Sequence, residues 1–480
     1  MRAVAAAVLA VGIPCAAALE GPAADRKPPS PGPPRPLTLP PVERHALSNG
    51  LAVHLVESHE VPTVELVLAV GSGAAADPGG RPGVAAMTAN LLDEGAGGRD
   101  ALALADALDF LGADLGSSSS WDYSLVRLHV PVARLEQALP LMADVALRPD
   151  FPERELVRLR KEALTTLLQA RDEPREVAQV ALLQAVFGPD HRYHRPAGGD
   201  AASLKDMGVA HVREFHRGHY GPGNAALVVV GDVDASVLPL LEKAFGAWSG
   251  ERPAAASVPP HPQVAGRHLW LIDKPGAPQS VIRIGRVGPP RATPRYHALE
   301  VMNTLLGGSF TSRLNDNLRE QHGYAYGAGS TFGYRKVAGL FLAAADVQTP
   351  STAAALTEFL KELERIRTPP APEEVARARG YLAYGHAGDF ETTRQIAARV
   401  ADRVIYGLPA DALEAFVPKV LAVGPADVAS AARDHVDTRS LAIVVVGDRK
   451  AVEPGLKSLG IAPLKTLGVD DVMGPPPAIE

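Results

Sequence analysis

This chain repeats itself. Ala226-Leu227-Val228-Val229-Val230-Gly231-Asp232 matches Ala442-Ile443-Val444-Val445-Val446-Gly447-Asp448, an offset of 216 residues from Gly231 to Gly447. The same offset lays 51–56 on 267–272, Pro62 on Pro278, and Leu66-Val67-Leu68 on Ile282-Arg283-Ile284. Three strand-like runs aligned without a gap indicate a duplicated unit. Two homologous halves are expected, 42–250 and 266–470, joined by a Pro/Ala-rich linker over 251–265. At 480 residues, that division gives each half an ordinary domain size.

Each half begins alike. Two β-patterned runs, 51–56 and 63–70, recur as 268–273 and 279–287. A helix follows at 82–94 or 294–306. A β-patterned run at 123–130 and helical stretches at 133–146, 153–171, 175–186 and 201–217 lead to the closing Val-Val-Val-Gly-Asp strand. Strands interspersed with long helices predict an α+β fold: two α/β-sandwich halves, each a sheet covered on one face by helices. The pattern leaves strand order open. With 46% hydrophobic and 21% charged residues, the chain can bury large cores. A net charge of −6 and a pI near 6.2 give no basic footprint for nucleic acid.

The N-terminus reads as a targeting segment. Arg2 precedes an apolar run over 3–18, with no further charge until Glu20. That is the charged and apolar part of a signal peptide over 1–18, too short to span a bilayer, with Ala16-Ala17-Ala18 as cleavage site. Residues 19–41 form a Pro-rich linker. A periplasmic or secreted location is expected, and no later segment is long and apolar enough to cross a membrane. The single cysteine, Cys15, lies inside the signal segment. Lipidation there is the less favoured alternative, because Ile13-Pro14 makes a poor lipobox.

The stretch Gly83-Val84-Ala85-Ala86-Met87-Thr88-Ala89-Asn90-Leu91-Leu92 carries no acid, base or metal-ligating side chain. Val84, Met87, Leu91 and Leu92 recur at helical spacing as a core-facing stripe. Asp93 and Glu94 read as solvated charges near its end. His191 and His194, and His211, His216 and His219, form two clusters. They read as polar surface at helix and loop ends, because no acid beside them has ligand spacing. Gly307-Gly308-Ser309 lacks the Lys-Ser/Thr of a phosphate loop. No Ser or Cys nucleophile motif is present.

Taken in order, several short motifs resemble the insulinase/pitrilysin family of zinc peptidases. The likeness is to its short bacterial members akin to mitochondrial processing peptidase, over nearly all of 42–465. The first half supplies Leu47-Ser48-Asn49-Gly50-Leu51, Gly71-Ser72-Gly73 and Tyr220-Gly221-Pro222-Gly223-Asn224. The second supplies Leu306-Gly307-Gly308, Ser312-Arg313-Leu314, Leu318-Arg319-Glu320 and Gly323-Tyr324-Ala325-Tyr326.

The resemblance implies a zinc helix reading His-x-x-Glu-His. There two His on one helical face bind the metal, and the Glu acts as general base. Those positions are Ala86, Ala89 and Asn90 here. The family's third ligand, a Glu on a later helix, falls on Thr165 or Thr166, with Glu162 about one turn out of register. The resemblance therefore implies no catalytic residue and no metal in this chain. Arg319 and Tyr326 match the pair that holds the substrate backbone near the scissile bond. The pattern is that of a non-catalytic, substrate-binding subunit. Its partner would be a homologous catalytic peptidase subunit that carries the zinc, and the substrate a peptide or unfolded polypeptide. Two alternatives remain: a non-enzymatic binding or assembly scaffold, and an active metallopeptidase with atypical ligands.

Overall fold

Two six-stranded sheets, each built by one half, carry the fold of a computed structural model that describes residues 32, 38–250, 252–253 and 262–479. The signal segment 1–18 with Cys15 lies outside the described residues, as do most of 19–41 and much of 251–265. In the first sheet the strands are β1 Val42–Ala46, β2 Ala52–Glu57, β3 Thr63–Val70, β4 Asp114–Ser119, β5 Ser124–Pro131 and β6 Ala225–Gly231. Their order is β1-β2-β6-β3-β5-β4. The second sheet has β7 Arg267–Asp273, β8 Gln279–Gly288, β9 Ala325–Gly333, β10 Gly339–Gln348, β11 Leu441–Gly447 and β12 Leu464–Leu467. Its order is β12-β7-β11-β8-β10-β9, the same with one replacement.

The repeat is preserved down to register. Ala52 faces Ala226 across a parallel pair, and His268 faces Ala442. Leu66 faces Val229 across an antiparallel pair, and Ile282 faces Val445. Each residue of the second pair lies 216 positions beyond its counterpart in the first. The outer edge strand is the replacement. The antiparallel β1 precedes the first repeated strand of its half, and the parallel β12 follows the last repeated strand of the other.

Seven helices matter for the site: α1 Val84–Leu91, α2 Glu153–Ala170, α3 Pro174–Val186, α4 Tyr296–Asn303, α5 Pro372–Gly385, α6 Thr393–Ile405 and α7 Phe416–Ala422. Where a helix at 82–94 is expected, α1 starts at Val84, because Gly83 sits at φ +93°. The stretch 201–217 is two helices, Ala201–Lys205 and Val209–His219. Asp200 and Ser203 form a capping box on the first, and the second begins after Gly208. Helix α4 continues into a π-helical turn over Thr304–Gly308.

One face of each sheet packs on helices of its own half, as expected. The opposite faces are not bare. Helix α3, from the first half, lays Val177, Ala178, Ala181 and Leu182 on Val281, Val444 and Val446 of the second sheet. Helix α6, from the second half, lays Ile396, Ala397 and Val400 on Val67, Val228 and Val230 of the first. The halves thus exchange helices. Central strands buried on both faces explain why 227–230 and 443–446 are unbroken apolar runs.

The two β-hairpin turns also meet. Asp122 accepts hydrogen bonds from the Lys336 backbone N–H at 2.7 Å and the Tyr193 hydroxyl at 3.1 Å. Arg335 lies over the rings of Tyr193 and Trp121 at 4.3 and 4.5 Å. Burial holds its guanidinium down to about 10.

Candidate functional site

Helix α1 occupies the emptied position. Val84, Met87, Leu91 and Leu92 are buried in the first core, as their spacing predicts. Ala86 is half-buried and Asn90 is exposed. Ala89 is fully buried, and its carbonyl accepts the Ser117 hydroxyl of β4 at 2.5 Å. Asp77 holds the start of α1, accepting the backbone N–H of Gly83 at 2.6 Å and of Ala85 at 2.9 Å. Burial pushes its carboxyl up to about 7, against those two bonds and the charge of Arg192.

The residues facing α1 do not complete a zinc site. The hydroxyls of Thr165 and Thr166 donate to the i−4 carbonyls of Lys161 and Glu162, at 2.8 and 3.1 Å. Glu162 points its carboxylate at Arg158. Arg158 also binds Glu155 at 2.7 Å, and Glu94. Glu94 and Asp93 are therefore not solvated charges. Both are half-buried, Glu94 is ion-paired, and burial pushes Asp93 up to about 6. Two alanines, an amide and two hydroxyls are the wrong donor set for zinc, which takes imidazole, thiolate or carboxylate. Among the described residues no group of three or more His, Cys, Asp or Glu is placed to share an ion.

The histidines serve the backbone instead. His211 accepts the Gly208 N–H at 3.2 Å, and His191 accepts that of Tyr193 at 3.1 Å. His194 bonds the Phe187 carbonyl at 2.6 Å and His216 that of Ala146 at 2.9 Å, while His219 bonds the Ser72 hydroxyl at 3.0 Å. Burial corrects the expectation of polar surface. His191 is buried, and burial lowers the pKa of His216 and His219.

In the second half Arg319 and Tyr326 come together. The Arg319 guanidinium lies 5.5 Å from the Tyr326 ring centroid and 4.6 Å from that of Phe310. Glu320 is 3.5 Å from its Nε. Arg319 stands on a π-helical turn, Asp316–Gln321. That turn ends at Gly323, whose φ of +64° suits glycine. Tyr326 lies on the edge strand β9, where register slips by one residue between Ala325 and Ala328. Such a bulge re-aims a side chain, and Tyr326 is 91% exposed.

Phe310, 68% exposed, is the member that sequence reasoning missed. Buried Asn315 fixes it. Its amide donates to the Phe310 carbonyl at 2.7 Å, and its oxygen accepts the Ala328 N–H at 3.2 Å. Gly307 lets this loop close on β9, since a Cβ there would stand 2.2 Å from the Ser330 nitrogen. The only sequence signal was Phe310 lying just after Gly307-Gly308. The result is a half-buried cation between two exposed aromatic rings, beside the unpaired edge of β9. It can hold an extended chain through backbone hydrogen bonds and a carbonyl or carboxylate through the guanidinium.

Comparisons with known proteins agree with the fold. Residues 52–195 match the family described as insulinase (peptidase family M16), and residues 206–382 match the peptidase M16 inactive domain. An uncharacterized zinc protease of Mycobacterium leprae is 29% identical over 287 residues, covering 59% of this chain and 64% of the relative. The match thus spans just under two thirds of that relative's length. One from Streptomyces coelicolor is 26% identical over 74% of this chain and 79% of its own length. A crystal structure of a peptidase M16 inactive domain from Pseudomonas fluorescens superposes with a TM-score of 0.80 at 27% identity, covering 85% of this chain and 98% of that one. A protease from Helicobacter pylori, at 20% identity and a TM-score of 0.79, shares the fold.

Proposed function

The chain belongs to the insulinase (M16) peptidase family, and on that premise we propose that it is the non-catalytic, substrate-binding subunit of a two-chain zinc peptidase. One observation carries the reading: α1 has lost every metal-binding and acid–base group, while a half-buried Arg319 stands between the exposed rings of Tyr326 and Phe310. A family member that had kept only a scaffold would have no need to hold a cation between two exposed rings.

The partner is a homologous subunit that carries His-x-x-Glu-His and the zinc. Toward it this chain contributes binding and orientation. Arg319 donates to a substrate carbonyl or carboxylate, and the Tyr326 hydroxyl donates to the oxygen on which negative charge develops. Phe310 packs against an apolar side chain. The substrate is a peptide or unfolded polypeptide, taken in extended form. Arg2 and the apolar run after it support export to the periplasm. Among the described residues no helix is long and apolar enough to cross a membrane.

Metal analysis tests the division of labour. The purified lone chain is expected to hold far less than one equivalent of zinc after dialysis, and its complex with the catalytic homologue one equivalent. A full equivalent in the lone chain would overturn the reading in favour of an active peptidase with atypical ligands. Failure to form a complex would favour a scaffold.

A further inference from the structure

A cavity of 930 Å³ opens in the second half between α4, α5, α6 and α7, and neither Arg319 nor Tyr326 lines it. Its size falls within the range of small-molecule sites, roughly 300–1,000 Å³, and exceeds what one amino acid fills. Its walls are aromatic: the Phe416 ring lies 4.3 Å from that of His386 and 6.3 Å from that of Tyr296. Most of its charges cancel locally. Arg291 pairs with Asp402 at 3.2 Å and Arg399 with Asp389 at 2.7 Å.

Two lining groups have no ion pair of their own. Glu300 accepts the Tyr334 hydroxyl at 2.9 Å and has no ion-pair partner among the described residues. Burial pushes its carboxyl up, against the Tyr334 bond and the charges of Arg291 and Arg399, both of which are themselves paired with aspartates. Lys419 lines the same cavity, is exposed, and likewise has no ion-pair partner among the described residues. An anion and a cation left open in one aromatic-walled cavity call for a ligand carrying both charges on an apolar frame.

We propose that this cavity binds a short peptide with both termini free. Its α-ammonium meets Glu300, its α-carboxylate meets Lys419, and its side chains lie against Tyr296 and Phe416. The site is separate from the Arg319 cluster and requires neither zinc nor a partner chain.

Calorimetric titration of the full chain tests it, with leucyl-phenylalanine, its N-acetyl form and its C-terminal amide as probes. The free dipeptide is expected to bind, and each capped form at least 10-fold more weakly. Glu300→Gln keeps an acceptor for Tyr334. It should make the acetylated and free dipeptides bind alike. Lys419→Ala, a surface change, should do the same for the amide. No binding of the free dipeptide, equal binding of capped and free forms by the unaltered chain, or amine preference surviving in Glu300→Gln would each overturn the proposal.

Discussion

Ala89 shows that the general-base position of the motif is now part of the packed core. Its side chain is fully buried and its carbonyl is held by Ser117. Ala89→Glu should therefore cost about 2–4 kcal/mol of stability, from overpacking and from burying a carboxylate. Denaturant unfolding measures this, and a neutral outcome would show that room remains. Asp77 gives a pH signature. Its folded pKa lies above the unfolded value, so its contribution is fully present below about pH 4 and is lost as pH rises through about 7. The span is at most about 4 kcal/mol. Asp77→Asn should flatten the fall in thermal midpoint between about pH 4 and 7, whereas an unchanged slope would place the titration elsewhere. Several residues were legible in sequence: the α1 core stripe, the missing ligands, and Arg319 with Tyr326. Phe310 and Glu94 were not. Phe310 gains its meaning from Asn315 and β9, and Glu94 from Arg158 on another helix. Neither contact has a local pattern.

At the scale of elements, the duplication carried more than expected, because equal sequence offsets became equal registers in both sheets. The crossing helices were not legible. Periodicity shows that α3 and α6 have apolar faces, but not whose sheet they cover. Leu182→Ala, at a fully buried position in α3, should cost about 2–5 kcal/mol. Amide exchange should then accelerate in β8 and β11, which lie in the other half of the sequence. Acceleration confined to the first sheet would contradict the exchange of helices. The hairpin turns give a second test. Arg335→Ala removes the guanidinium packed over Tyr193 and Trp121 and weakens the positive field on buried Asp122. It should cost about 1–2 kcal/mol in thermal or chemical unfolding. A cost near zero would mean that the turns only touch.

For the whole molecule, the exchanged helices make residues 36–480 one compact unit. Arg319, Tyr326 and Phe310 are therefore carried on a scaffold that neither half forms alone. On the proposed reading, this surface holds a peptide for chemistry performed by another chain. The most direct measurement is peptide cleavage by an equimolar mixture of this chain and a homologue carrying His-x-x-Glu-His. Neither chain alone should cleave appreciably, and the mixture should. Arg319→Ala should lower kcat/KM by on the order of 100-fold, with Tyr326→Phe acting in the same direction. Undiminished cleavage by the Arg319→Ala mixture, or full activity of the homologue without this chain, would contradict complementation.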